Sequence, residues 1–315
     1  MGTEERKNIL IVTLSNIGDV ILTTPVITSL RAHFPRARFT VVVGPKAQGL
    51  LKGSRHIDRL LVYDKGSHWA EKLRLVRTLR EEFYEYVVDL RNSAFPFLVR
   101  ANHRSPLFRP HRVKPARGRH LEVLQMMKFK VSSELDFDFF SREDEQSLLE
   151  KFKMRERDLS LEGIVVAPGA GSEAKRWPIT GFREVLERIL EITPFSIFVV
   201  GDRREAPLAE SLCQINPNRV KNLAGEITLR QLAALVSRAK LVLANDSACM
   251  HLAYELHRPV VALFGPSDHE KYGRQSEIWQ IVRETPPLTL QDLSREKVFR
   301  ACESLLNGTP VGSRN

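Results

Sequence analysis

The stretch LVLANDSACMHLAYELHRPVVALFGPSD, Leu241–Asp268, decides the fold. Its apolar run Leu241 to Ala244 stops at Asn245, Asp246 and Ser247, and a second β-branched run begins after Pro259, so both runs read as strands. Between them Met250, Ala253, Tyr254 and Leu256 recur at helical spacing. Strand, helix and strand in that order make a parallel pair with a right-handed crossover. Asp246 or Ser247 then falls at the helix N-cap. There, unpaired backbone N–H groups and the positive end of the helix dipole suit a phosphate or diphosphate. Taken alone, the two residues are better read as a plain cap; the rest of the chain shifts the balance.

Outward from this unit, the second half continues the alternation. It has a strand at Ile164–Ala167, a helix near Ile179–Ile192, a strand at Ser196–Val200, and helices near Ala206–Ile215 and Leu229–Ala239. The first half follows the same plan. NILIVTL, Asn8–Leu14, is apolar throughout, as a strand covered on both faces must be. A helical pattern opens at Asp19 and runs to Leu30, with Pro25 either kinking it or marking a first turn. Further strands read at Phe39–Val43, Leu60–Tyr63 and Tyr86–Leu90, with a helix near Trp69–Phe83. Two α/β halves of this kind imply two Rossmann-like domains, expected over 1–157 and 158–315. The charged stretch Ser141–Arg157 leads into the boundary, and a last helix near Ser294–Leu306 could return to the first domain.

The composition is that of an ordinary soluble globular protein, 315 residues with 43% hydrophobic and 27% charged. No apolar run approaches a membrane span and the start is too weakly apolar for a secretory signal, so a cytoplasmic location is expected. Cys213, Cys249 and Cys302 are odd in number and widely spaced, which suggests neither a disulfide framework nor a zinc site. Between Arg91 and Lys130 there are ten basic residues against one acid, Glu122, and four prolines argue for long irregular loops before a helical His120–Phe129. That segment is either a solvated loop or a surface for phosphorylated lipid head groups or nucleic acid.

Three further strand ends carry candidate chemistry. After Ile164–Ala167 comes PGAGSEAKRWP, neither a P-loop nor a complete dinucleotide fingerprint, yet a glycine-rich turn whose amides can approach an anion, with Lys175 as a point charge beyond it. After Val200 comes Gly201-Asp202-Arg203-Arg204-Glu205, where a carboxylate could accept from ribose hydroxyls or simply favour a helix N-terminus. Asp19 lies at the corresponding edge of the first domain, where it would face the second across a cleft as a general base; an isolated Asp there would only cap a helix.

Together, NILIVTLSNIGDVILTTPVITSLR, VVAPGAGSEAKRWP and LANDSACMHLAYELHRPVVALFGPSD resemble, in order and spacing over nearly the whole chain, the glycosyltransferase family of ADP-heptose:lipopolysaccharide heptosyltransferases. The resemblance implies a GT-B fold, two Rossmann-like domains facing a central cleft. It also implies an inverting transfer of heptose from ADP-heptose to the lipid A-Kdo type inner core of lipopolysaccharide, with Asp19 as the base. It assigns Ser172, Lys175, Glu205, Asp246, Ser247, Ala248 and His251 to the donor. Here Ala248 stands where Gly is commoner in the family, and Ala170 and Gly171 where some members carry paired Thr.

Family members act at the inner leaflet on an anionic lipid-linked acceptor, which would give Arg91, Arg100 and Arg119 acceptor contacts and the protein a peripheral place on the cytoplasmic face of the inner membrane. No acid cluster suited to Mg²⁺ appears, so no metal or cofactor is expected, and the chain is expected to be a monomer. Two other readings stand beside this one. A nucleic-acid-binding α/β protein would use the basic segment as its footprint, but no recognition signature accompanies the charge. A related enzyme of another donor, a UDP-linked hexosamine transferase or a nucleotide-sugar epimerase, would share the fold.

Overall fold

The computed structural model describes residues 6–107, 110–131, 136–155, 160–284 and 289–308, at 153–155 only through the backbone. The chain forms two compact units, 1–139 and 140–315. Arg109 of the basic segment, residues 156 and 157 of the expected lead-in helix, and the residues past 308 lie outside the described residues.

In the first unit, strands β1 (Asn8–Val12), β2 (Arg38–Val43), β3 (Arg59–Val62), β4 (Phe83–Asp89) and β5 (Arg100–Arg104) form one sheet in the order β3-β2-β1-β4-β5. Every pairing in it is parallel. Helices α1 (Ile17–Ile21), α2 (Thr24–His33), α3 (Gln48–Leu51) and α4 (Trp69–Arg80) lie between successive strands, and α5 (Ala116–Met126) follows β5. The single helix expected from Asp19 to Leu30 is divided in two. Pro25 lies in the first turn of α2, and the hydroxyls of Thr23 and Thr24 donate to the carbonyls of Val20 and Ile21, which ends α1.

The second unit begins with α6 (Arg142–Arg155), followed by β6 (Gly163–Ala167), α7 (Ile179–Ile192), β7 (Ser196–Val199), α8 (Ala206–Cys213), β8 (Val220–Asn222) and α9 (Leu229–Arg238). It continues with β9 (Leu241–Asn245), α10 (Ala248–Glu255), β10 (Val260–Phe264), α11 (His269–Tyr272), β11 (Trp279–Arg283) and α12 (Arg295–Gly308). Its strands form a second all-parallel sheet in the order β11-β10-β9-β6-β7-β8. The central strands β6, β9 and β10 are buried at every residue, as strands covered on both faces must be. Gly163 starts β6 because any Cβ there would fall 2.5 Å from the Ser196 carbonyl oxygen and 2.7 Å from the Phe198 ring. On α7, Phe182, Val185, Leu186 and Ile189 recur at helical spacing and fill the core under the sheet.

The break between units falls after Phe139, not at 157, because α6 packs on α9. Asp144 accepts from the Arg230 guanidinium at 2.7 Å, Gln231 donates to Ser147, and Lys151 donates to the Glu226 carbonyl. The last helix, α12, lies against α7 and β9–β11 of its own unit. No helix among the described residues is long and apolar enough to cross a membrane.

Both sheets have a point where the winding reverses. In the first it falls between β1 and β4, in the second between β6 and β9. Loops leaving the carboxyl ends of such a pair diverge and open a crevice, the usual ligand position in an open α/β sheet.

Burial acts to raise the Asp144 carboxyl, but the Ser141 amide and hydroxyl and the Arg230 guanidinium outweigh it and hold the group below its ordinary range. Arg230→Ala is therefore expected to cost about 2 kcal/mol in denaturant unfolding and to speed hydrogen exchange in α6. The wild-type contribution is present above the unfolded carboxyl value, about 4, and is lost as pH falls through the lower folded one.

Candidate active site

In the second unit the loops after β6, β7 and β9 leave neighbouring strands at one sheet edge, and one buried side chain joins two of them. Asn245, the last residue of β9, donates from Nδ2 to the Pro168 carbonyl at 2.8 Å and accepts at Oδ1 from the Trp177 N–H at 3.1 Å. Both ends of the glycine-rich loop are thus fastened to β9. The Trp177 indole, itself buried, donates to the Leu293 carbonyl. Sequence reading treats Asn245 only as the residue that stops a strand; its role follows from Pro168 and Trp177 lying on either side of it, which sequence spacing does not reveal.

With the loop fixed, Lys175 Nζ meets Asp246 Oδ2 at 2.8 Å. Asp246 is buried, and its other oxygen lies 3.9 Å from His251 Nε2. Tyr272 of α11 joins this group, its ring 6.2 Å from that of His251 and 5.9 Å from Lys175 Nζ. Ser247 occupies the N-cap position of α10, with Ala248 the first helical residue, but its side chain makes no capping bond. The Ser247 Oγ is buried and has no hydrogen-bond partner among the described residues. Asp246 and Ser247 are therefore not a plain helix cap: one side chain is spent on Lys175, and the other is left with its hydrogen-bonding capacity unused at the first turn of α10.

Glu205 enters from the loop after β7. Its Oε2 accepts from the Asp202 N–H at 2.9 Å, completing a capping box with Asp202. Its Oε1 lies 4.0 Å from the Arg176 guanidinium. The carboxylate lies so close to the glycine-rich loop that a Cβ on Gly169 would fall 1.8 Å from Oε1, and one on Gly201 would fall 2.6 Å from Oε2. Those two glycines are there to admit it. Ser172 is an exposed residue at the start of the short turn Glu173–Lys175. The structure thus gathers Lys175, Asp246, Ser247, Ala248 and His251 around the start of α10, with Glu205 against the glycine-rich loop.

In the first unit, Asp19 lies in the first turn of α1, just beyond β1, and its Oδ2 accepts from Asn16 Nδ2 at 2.9 Å. The loop before it has room because residue 44 is glycine: a Cβ there would meet the Ser15 backbone at 2.6 Å. Arg91 follows the neighbouring strand β4, its guanidinium 4.9 Å from the centre of the Tyr63 ring. Asp89 shapes that loop by accepting from the amides of Arg91 and Ser93, while Asn92 takes a left-handed φ of 56°. Asp19 and Arg91 therefore share the reversal point of the first sheet. Arg100 does not join them. It pairs with Phe83 at the opposite, amino-terminal ends of β4 and β5. Arg119 donates to the Val113 carbonyl and tethers the loop before α5.

Much of the basic segment is likewise structural. The Arg104 guanidinium donates to the carbonyls of Pro96, Val99 and Ala101, and buried Glu122 accepts from the amides of Arg112 and Val113. Burial pushes the Cys213 thiol up to about 11 and the Cys249 thiol up to about 12, so neither is a thiolate nucleophile at neutral pH. Among the described residues no three His, Cys, Asp or Glu side chains are grouped as metal ligands.

Comparison with known proteins agrees with this architecture. Residues 72–300 match the family described as glycosyltransferase family 9 (heptosyltransferase). The chain is 24% identical to lipooligosaccharide heptosyltransferase 2 of Haemophilus influenzae, over 96% of each protein. A family 9 glycosyltransferase from Veillonella parvula superposes with a TM-score of 0.81 at 22% identity, over 96% of this chain and 98% of that one. The Escherichia coli heptosyltransferase WaaC, solved with ADP-2-deoxy-2-fluoro heptose, does so with 0.74 at 21% identity, over 94% and 99%. The fold is GT-B, with two Rossmann-like α/β units.

Replacing Asn245 with Ala strands the Trp177 N–H and the Pro168 carbonyl in a buried place. The expected cost is about 3 kcal/mol in denaturant unfolding, together with a rise in quencher access to tryptophan fluorescence. An unfolding midpoint equal to wild type would show that other contacts hold the loop.

Proposed function

The chain belongs to glycosyltransferase family 9, the heptosyltransferase family, and is a glycosyltransferase; from that premise we propose that it moves a heptose from ADP-heptose to the inner core of lipopolysaccharide by a single inverting displacement. The observation that carries the reading is the pairing of Lys175 with Asp246 beside the unpartnered Ser247 Oγ at the start of α10. A cation, a free hydroxyl and a first helical turn of unpaired amides in one place are what a departing nucleoside diphosphate needs.

In this reaction Asp19 takes the proton of the acceptor hydroxyl as that oxygen attacks the anomeric carbon. Asn16 holds one carboxylate oxygen through its amide, which fixes the side-chain rotamer and leaves the other oxygen to receive the proton. The bond from the anomeric carbon to the diphosphate oxygen breaks on the opposite face, and the charge that develops there meets Lys175, Ser247 and the amides of Ala248 and Cys249. Glu205 accepts from ribose hydroxyls, a role supported by its tight seat between Gly169 and Gly201. Asp246 and His251 contact the sugar, and Ser172 flanks the diphosphate. Arg91, beside the loop that carries Asp19, contacts an anionic acceptor, and the enzyme works as a peripheral protein on the cytoplasmic face of the inner membrane.

The test is transfer from ADP-heptose to heptose-deficient lipopolysaccharide, read as a mass gain of one heptose on the acceptor. Asp19→Asn should lower turnover about 10³-fold, within the range for a lost general base, with ADP affinity within about twofold of wild type. Lys175→Ala should weaken ADP about tenfold, the loss of one charge-assisted contact. Loss of ADP affinity in Asp19→Asn equal to its loss of turnover would remove Asp19 from the role of base.

A further inference from the structure

We propose that the exposed face of α4, with the neighbouring turn Phe95–Leu98, is a docking surface for an anionic lipid bilayer. Leu75 and Leu79 bury α4 against Leu10, Val12 and Val42 of the first sheet. Its other side carries Trp69, Leu73, Arg74, Arg77 and Arg80, all exposed. Trp69 is 67% exposed, an unusual state for the largest side chain. Phe95 packs into the same cluster as Leu75 and Leu79, while Phe97, 60% exposed, and Leu98 point out of it. Two elements on one face of one sheet therefore both hold apolar side chains in water.

The cations of α4 separate this face from ordinary solvated helices. On α9 and α12 of the second unit the exposed arginines are paired: Arg238 with Glu145, Arg295 with Glu184, and Arg300 with Glu296 and Glu303. Among the described residues, Arg74, Arg77 and Arg80 take part in no ion pair, and Glu71 is the sole acid of α4. Three unpaired arginines on one helix, beside an exposed tryptophan and leucine, combine charge and apolar surface on a single face. A bilayer uses both, because acyl chains cover Trp69, Leu73, Phe97 and Leu98 while phosphate head groups neutralise the arginines. Trp and Arg also suit the interface, where an amphipathic side chain can keep its polar end in the head-group layer. The surface serves the function proposed above, since an enzyme acting on a lipid-linked acceptor gains from being held at the bilayer, but the observations that carry it involve neither donor nor acceptor.

Cosedimentation with vesicles of phosphatidylglycerol and phosphatidylcholine in equal parts tests it, with pure phosphatidylcholine vesicles as the control and no sugar nucleotide present. The wild-type chain should bind the anionic vesicles, and less so as salt is raised. The triple change Arg74→Gln, Arg77→Gln, Arg80→Gln should weaken binding on the order of a hundredfold, about fivefold for each charge. Trp69→Ser with Leu73→Ser should weaken it at least tenfold, and both variants should keep the wild-type unfolding midpoint and ADP affinity. Absence of vesicle binding, equal binding to both vesicle types, or variants that bind like wild type would overturn the proposal. A concentration-dependent dimer abolished by Trp69→Ser would overturn it in favour of a second copy of the chain. Failure here would leave ADP-heptose transfer standing, and failure of transfer would leave vesicle binding standing.

Discussion

The side-chain amide of Asn245 is the constraint on which the rest of the second unit's site depends. It is fully buried and fastens both ends of the glycine-rich loop to the end of β9, through Pro168 on one side and Trp177 on the other. Each of those hydrogen bonds contributes about 1 kcal/mol net, but leaving its partner unsatisfied costs more, and that asymmetry makes the arrangement single-valued. Lys175 lies two residues before Trp177, so the same bond that seats Trp177 also sets where the lysine can reach. The sheet order makes this possible: only because β6 and β9 are neighbours does the carbonyl of Pro168 come opposite Asn245.

The charges around that loop matter for position more than for stability. Lys175 keeps about a third of its side chain exposed, 35% against 7% for Asp246. A lysine this open to solvent is partly screened, so the pair itself contributes about 1 kcal/mol, although its loss would leave the buried Asp246 carboxylate without that cation. What it does is keep a flexible ammonium at the start of α10, where the backbone already favours an anion. Glu205 is held in the opposite way, by steric fit. Two glycines lacking Cβ atoms leave space for its carboxylate, and the Asp202 N–H holds one of its oxygens at 2.9 Å.

How much of this was legible in the sequence depended on where the determining contacts lie. Fully apolar runs announced β1, β6, β9 and β10, and the residues that end them announced the site loops, because a strand buried on both faces leaves a continuous signal and its end breaks that signal sharply. Edge strands were hidden: RANHR at β5, exposed for much of its length, carries no apolar pattern, and the three-residue β8 is too short to show one. The break between units was displaced because α6, charged and weakly amphipathic, looks like a linker; its attachment depends on Arg230 and Gln231, which lie more than eighty residues away. Arg100 could not be separated from Arg91 by composition, since only strand pairing puts one at the amino-terminal edge and the other at the carboxyl-terminal edge of the sheet. Local pattern gives elements and their ends. Which ends meet is a property of strand order.

Calorimetric titration of the intact chain with ADP, UDP and GDP in parallel tests the central claim most directly, because the leaving nucleotide identifies the donor. An ADP affinity at least tenfold above that for UDP and GDP, lost on Glu205→Ala, is the outcome that heptose transfer from ADP-heptose requires. Preference for UDP, or no binding of any of the three, would contradict it.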